Sequence, residues 1–326
     1  MTLLRAILAS LAVACTSLSG VAAAQDFPSR PVRIIVPLSA GSAFDLLARA
    51  MGKAYKARTQ QPFVVENRPG GNMAIASNAC KSAQADGYTI CLLTQNAITL
   101  NPMLYAKLSY DPYKELEPVA VVALQQQVLA VTSSLKVASF ADLVTQSKAN
   151  PNGLNYASLG PGSDSHLILE WLKSATGGHW THVPYNGAPP ILTAMKSGQV
   201  HMTLLTSGTL KPHIDSGDLK GLFTRGSERR NPTLPDVPTY TEAGLPPLNA
   251  TSWAGIFAPA GTPPDVVAKL NREISAIIGD ADFRTRYMVQ PGLEPPSIPL
   301  AGIKDFMAKD RAAWEPLVKN SGVQLQ

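Results

Sequence analysis

Two stretches of this chain combine small residues, serines and a helix-opening position in a way that suits capture of an anion. The first is Pro37-Leu-Ser-Ala-Gly-Ser-Ala-Phe-Asp45, directly after the apolar run Val32-Arg-Ile-Ile-Val36. The second is Ser158-Leu-Gly-Pro-Gly-Ser-Asp-Ser-His166, again between a strand-like run and a helical pattern. Small side chains let backbone N–H groups come close to a ligand, and a helix N-terminus favours negative charge there. Serine hydroxyls add donors that turn to suit. Neither loop holds Lys or Arg, so a carboxylate between them is expected to meet oriented dipoles and water instead of ion pairs. Three side chains beside the loops have two readings each. Asp45 either complements the helix N-terminus electrostatically or accepts an ammonium or hydroxyl of a ligand. His166, on the first turn of its helix, is either structural or ligand-binding. Phe44 is either a core residue or a ring on which a flat ligand stacks. With Phe44 facing the cleft the expected ligand is an aromatic mono- or dicarboxylate; with Phe44 in the core it is an ordinary aliphatic diacid.

Signatures of catalysis do not occur: there is no G-x-S-x-G elbow, no G-x-x-x-x-G-K-[ST] and no H-E-x-x-H. Gly160-Pro-Gly162 begins like a dinucleotide fingerprint but lacks the third glycine. His179-Trp-Thr-His182 offers two metal-ligand types, yet on a strand they face opposite sides with no carboxylate beside them. The reading is therefore of a binding protein with no catalytic residue, metal or cofactor.

The elements that must position the two loops come in two sets. Strand-like runs at 32–36, 63–66 and 88–93 alternate with helical patterns at 44–55 and, after a turn at 69–72, through Lys81, which predicts right-handed crossovers and a mostly parallel sheet. A second set follows, with strands at 128–131, 154–157, 180–183, 200–205 and 219–224 and helices at 139–148, 163–176 and 189–197. A Pro-studded stretch at 231–248 leads to an apolar strand at 253–258, then helices at 265–278 and 299–319. Two α/β lobes are expected, with the chain crossing near 125–127 and 250–252. Lobe 1 is 25–125 plus 251–326, its last helices returning to cover it, and lobe 2 is 126–250. Loops at the carboxyl ends of the strands then face one cleft, where open α/β sheets place ligands.

Residues 1–24 read as a secretory signal: a positive start at Arg5, an apolar run, and Ala22-Ala23-Ala24 before Gln25. Cys15 follows Leu11-Ala-Val-Ala, a poor match to a lipid-attachment site. No other apolar run reaches the ~18 residues of a bilayer span, so the periplasm is expected. The formal charge is +5, falling by one when Arg5 leaves with the signal, and the charges are scattered. Without a basic stripe interleaved with aromatics, nucleic-acid binding has no support. Cys80 and Cys91 remain in the exported chain; in an oxidising compartment they either pair or stay as two buried thiols.

The joint pattern of motifs resembles the Bug-type receptors of tripartite tricarboxylate transporters. The resemblance rests on Pro28-Ser-Arg-Pro-Val-Arg-Ile-Ile-Val-Pro37 with Gly41 and Asp45, Val65-Glu-Asn-Arg-Pro-Gly-Gly71, Ala85-Asp-Gly-Tyr88 and Asn101-Pro102. It continues through Leu154-Asn-Tyr-Ala-Ser158 with His166-Leu167, His182-Val-Pro-Tyr185 with Gly187, Leu234-Pro-Asp-Val-Pro-Thr239 with Glu242-Ala-Gly244, and Ala258-Pro-Ala-Gly-Thr-Pro263. The resemblance implies an α/β type II periplasmic binding protein fold that clasps a small carboxylate between two lobes. It points to Ser39, Ala40, Gly41 and Asp45 in one lobe and to Ser158, Gly160, Gly162, Ser163 and His166 in the other. Gln95, Asn96, Thr206 and Ser207 follow strands expected to face the same cleft. Ser42 replaces a common glycine, and Asn186 a frequent lysine before Gly187. Expected partners are a membrane permease or a sensor ectodomain, with the receptor itself a monomer.

Overall fold

The computed structural model describes residues 27–150, 153–226, 229–246 and 248–326. The signal segment 1–24, Cys15 and the cleavage position before Gln25 lie outside the described residues. β1 (Val32–Val36), β2 (Phe63–Asn67) and β3 (Thr89–Thr94) are joined through α1 (Ala43–Thr59) and α2 (Ala74–Lys81). They pair in parallel, as the strand–helix alternation requires. Beside them run β4 (Leu116–Gln125) and two strands from late in the chain, β10 (Trp253–Pro259) and β11 (Leu293–Glu294), in the order β11-β4-β10-β3-β1-β2. β10 is antiparallel to both β3 and β4. The sheet is thus parallel only on one side, which corrects the mostly parallel expectation.

The second sheet repeats the plan. β5 (Gln127–Thr132), β6 (Leu154–Ser158), β7 (Trp180–Pro184), β8 (Met202–Thr206) and β9 (Leu219–Arg225) lie in the order β7-β6-β8-β5-β9. β6 is parallel to β7 and β8, whereas β5 is antiparallel to β8 and β9. Helices α3 (Phe140–Ala149), α4 (Asp164–Thr176), α5 (Ala188–Lys196) and α6 (Ser207–Asp215) connect these strands. Only Gln126 separates β4 from β5, so the chain leaves one sheet and enters the other at a single residue. It returns through the segment between β9 and β10.

Both sheets are apolar on two faces, as parallel strands covered by helices must be. In β1, Val32, Ile34 and Val36 join one cluster and Ile35 the other; in β5, Leu129 and Val131 oppose Val128 and Ala130. The first face of sheet one is covered by α1 and by α7 (Pro264–Gly279), through Leu47, Met51, Leu270 and Ile274. The last helix, α8 (Ile303–Ser321), does more than return to the first lobe. Ile303 and Met307 pack under the first sheet, while Trp314, Leu317 and Val318 enter the core of the second. Cys80, in α2, and Cys91, in β3, are joined in a disulfide with their Cα atoms 6.0 Å apart. Of the two readings of these cysteines, pairing is the one realised.

Candidate functional site

The loop between β1 and α1 is built around a buried carboxylate. Ser39, Ala40 and Gly41 are exposed, whereas Asp45 is 1% exposed. Asp45 Oδ2 accepts the Gly41 N–H at 2.9 Å and Arg49 Nε–H at 3.0 Å. Its Oδ1 takes Asn67 Nδ2–H at 2.9 Å, and Arg49 Nη2 lies at the same distance. Burial alone would raise this carboxyl, but Arg49, the Gly41 amide and Asn67 together hold it below the usual carboxylate range. Each oxygen already has its donors, so the carboxylate serves the loop and leaves none over for a ligand ammonium. Gly41 has φ +84°, a conformation that costs glycine little and other residues more. The Ser42 hydroxyl accepts the Asp45 amide at 3.3 Å and caps α1. Among the described residues the amides of Ser39, Ala40, Ala43 and Phe44 make no hydrogen bond, so the N-terminus of α1 presents open donors.

Phe44 does not face a cleft. It is 3% exposed and belongs to the apolar cluster with Val36, Leu47 and Ile34. A helix turns about 100° per residue, so placing Asp45 against the loop sends Phe44 toward the sheet. Phe44 therefore offers no stacking surface to an aromatic ligand.

The second loop is organised differently, because its amides are spent on its own side chains. Leu159 N–H donates to Ser165 Oγ at 3.2 Å, and Gly160 N–H to Ser158 Oγ at 3.1 Å. Gly162 N–H donates to His166 Nδ1 at 3.1 Å, and Ser163 N–H to the Gly160 carbonyl at 3.2 Å. The Ser163 hydroxyl donates to that same carbonyl at 2.7 Å and accepts the His166 amide at 3.3 Å, capping α4. Gly162 has φ +73°, and a Cβ there would lie 2.8 Å from Leu325. His166 is 8% exposed and sits behind this loop. Its ring stacks on that of His182 at 3.8 Å, and His182 Nε2 lies 2.5 Å from Ser158 Oγ. Burial holds both rings below the usual histidine range, and with His166 beside it His182 falls to about 4.

The two loops meet at the same end of the molecule. β1 and β3 are adjacent and parallel, so the residues after β3 lie beside the first loop. One of them, Asn96, donates through Nδ2 to the Gly162 carbonyl of the second loop at 3.4 Å. Gln95 turns the other way, its Oε1 accepting the Trp253 amide at 3.2 Å. Thr206 is half-buried, its hydroxyl 2.8 Å from that of Thr209. Ser207 is fully buried, and its amide donates to the Gln126 carbonyl at 2.8 Å. A Cβ on Gly292 would lie 2.2 Å from its hydroxyl, so Ser207 belongs to the crossing between the sheets and not to the open loops.

Sequence reasoning missed several residues that shape the site. Asn67 also donates to the Leu38 carbonyl at 2.9 Å, and together with its bond to Asp45 it pins both ends of the first loop. Asp164, at the start of α4, accepts Gln127 Nε2–H at 2.7 Å and the Ser252 hydroxyl at 2.6 Å. Buried Arg225 completes that group, donating to Gln127, to Ser252 Oγ at 3.1 Å and to the Ala250 carbonyl. A polar residue ending an apolar strand was the signal available for Asn67 and for Arg225. His182 was weighed only as a metal ligand, and no cluster of three or more metal-ligating residues occurs among the described residues.

The comparisons agree with this architecture. Residues 47–323 match the family model described as the tripartite tricarboxylate transporter family receptor. Protein BugT of Bordetella pertussis is 30% identical over 315 residues, covering 96% of each chain. Rpa4515 of Rhodopseudomonas palustris, solved with adipate, superposes with a TM-score of 0.84 at 33% identity, covering 92% of this chain and 99% of its own. MatC from the same organism, solved with bound malate, gives 0.79 at 29% identity, covering 90% and 100%. This chain belongs to the tripartite tricarboxylate transporter receptor family and has the mixed α/β fold of its periplasmic binding proteins. Among the described residues no helix is long and apolar enough to cross a membrane.

Proposed function

We propose that this receptor captures a small aliphatic carboxylate between its two sheets, in the periplasm, and hands it unchanged to a membrane permease. The observation that carries the reading is the first loop, where amides at the start of α1 lack protein partners beside an exposed Ser39-Ala-Gly turn. Open donors at a helix N-terminus, with no cation in the loop, suit a carboxylate held by dipoles. The second loop, with its amides already used, acts as a shaped wall of the cleft. Adipate and malate in two relatives are aliphatic acids of this size, and Phe44 in the core removes the argument for an aromatic one. The Ser158–His182 pair does not make the protein a hydrolase. Ser158 is fully buried, and its hydroxyl is tied to both backbone groups of Gly160.

Calorimetry of the exported protein against adipate, malate, succinate, citrate, glutamate, terephthalate and nicotinate tests the reading. An aliphatic acid is expected to bind and to raise the melting temperature, since ligand at 100 times Kd adds about 2.7 kcal/mol. Binding of the aromatic acids alone overturns the ligand class, and silence across the panel overturns carboxylate capture. A pull-down with bound and free receptor separates delivery to a permease from presentation to a sensor ectodomain.

A further inference from the structure

We propose that His166 and His182 form a neutral stacked pair that sets the shape of the second loop, so that protonation of the pair releases the loop and ligand capture becomes acid-sensitive. The inference rests on the reading of that loop as one wall of the ligand cleft. Its starting point is the direction of one hydrogen bond. Gly162 N–H can only donate, so His166 Nδ1, 3.1 Å away, must be bare and accepting. A proton on Nδ1 would set two donors head to head and cancel the bond.

The pair leaves little room for charge elsewhere. The rings lie 3.8 Å apart at 15°, so two imidazolium ions would face each other directly. His182 is stacked on its other side against Tyr156, at 5.0 Å. Its Nε2 shares the Ser158 hydroxyl with the carbonyl and amide of Gly160, the residue that begins the turn. Both histidines thus grip the same short loop, one at Gly162 and one through Ser158.

The ionisable surroundings are few and come from three elements. From α4, Glu170 lies 4.0 Å from His166 Nε2, with Lys173 3.9 Å from Glu170 on the outer side. From β6, the Tyr156 hydroxyl donates to Glu170. From β7 comes His182 itself. Glu170 therefore favours the charged, doubly protonated form of His166, the ring whose Nδ1 the loop needs bare, while burial opposes it; His182 is opposed by burial and by His166 beside it. Above the usual histidine range the loop is held; as pH falls through the lowered values of the pair, it is let go. His166 is on this account a positioning residue that acts through Gly162.

The test uses the exported protein without ligand, labelled with nitrogen-15. Long-range proton–nitrogen correlation at pH 7.5 should find His166 unprotonated at Nδ1. On acidification the rings should stay neutral below the free-histidine midpoint, and the amides of Gly160, Gly162 and Ser163 should shift with the rings' own midpoint. A His166 protonated at Nδ1, or loop amides that ignore the ring titration, overturns the proposal. His166→Asn, which keeps an acceptor at the δ position but cannot ionise, should preserve the neutral-pH loop shifts and abolish the acid transition at Gly162, leaving the one that His182 transmits through Ser158 to Gly160. His166→Leu should lose both, with affinity for adipate down about tenfold, the scale of one lost hydrogen bond. If adipate and the other acids bind at no pH, the carboxylate reading fails, while the ring and amide titrations still decide the pair.

Discussion

At Ser163 the hydroxyl donates to Gly160 and accepts from His166, so its removal takes away a helix cap before it takes away any contact with a ligand. Ser163→Ala is expected to lower stability by roughly 0.5–2 kcal/mol in urea denaturation, with only a small change in ligand affinity. A large affinity loss at unchanged stability would return the hydroxyl to the ligand. Asp45 carries a comparable structural role with a charge attached. Asp45→Ala strips Gly41, Asn67 and Arg49 of their acceptor and is expected to cost about 1–3 kcal/mol, read in the same denaturation. The pH dependence has a definite sign. The carboxyl is held below its ordinary value in the folded state, so its stabilisation is complete above the unfolded value of about 3.9 and fades as pH falls through the lower folded one. An Asp45→Ala variant should accordingly lose less stability than the parent between pH 5 and 3, each measured by thermal melting.

Elements answer to a longer reach than single residues. The disulfide ties the end of α2 to β3 across a sequence separation of 11. Closing a loop of that size removes unfolded-state entropy equivalent to about 3 kcal/mol. The double variant Cys80→Ala with Cys91→Ala should melt markedly lower, and reductant should shift only the parent; equal melting curves would show that the bond adds nothing. Of the labelled elements, β4, α6 and the two-residue β11 were not legible in the chain. β4 contains Pro118, which argues against a central strand, yet it is tolerated because the pairing with β10 shifts register beside Phe257, opposite the proline, and β11 reaches only Leu124 and Gln125 on the other side. α6 reads poorly as a helix because of Gly208 and Pro212. It forms because Gly208 packs where no side chain fits, with its Cβ position 2.3 Å from the Gln290 carbonyl. By contrast α4 and α3 were legible to within a residue, since Ser163 and Ser139 cap them and the apolar period follows.

At the scale of the whole molecule, the crossing between sheets gathers three buried charged residues, Arg225, Asp164 and Asp310. Arg225 is 3% exposed, and its partners reach both the Gln127 crossing and the returning Ala250–Ser252 segment. Burial pulls its pKa down, while Asp164 opposes that most strongly. Arg225→Leu leaves Gln127 Oε1, Ser252 Oγ and the Ala250 carbonyl without their buried donor and is expected to cost about 1–3 kcal/mol; a variant that melts like the parent would show that the network is incidental. Asp310 of α8 joins the same region, accepting Trp253 Nε1–H and the Thr99 hydroxyl, each at 2.8 Å, and burial pushes it up to about 6. With lobe 1 taken as 25–125 plus 251–326 and lobe 2 as 126–250, closure would pivot at Gln126 and near Ala250. Because α8 packs into both cores, hinge closure of the lobes would require it to bend or slide. Small-angle scattering should show a smaller radius of gyration with saturating ligand, and identical curves would argue against hinge closure.

What the chain determined by itself was whatever depends on neighbours in sequence. The alternation of strands and helices, the capping serines, the two Gly/Ser loops and the family motifs all arise from short-range periods and from glycines that tolerate positive φ. Tertiary structure alone decided where side chains and amides point. Phe44 and Asp45 are adjacent, yet one enters the core and the other holds the loop, because the sheet lies on one side of α1 only. His166 and His182 are 16 positions apart and meet because β6 and β7 pair in parallel, with Tyr156 opposite His182 and α4 lying over β6. Two loops that look alike in composition differ for the same reason: in the second, folded-back hydroxyls and an imidazole occupy the amides that the first leaves open. Hydrogen-bond partners are chosen by distance and direction in three dimensions, and composition carries neither.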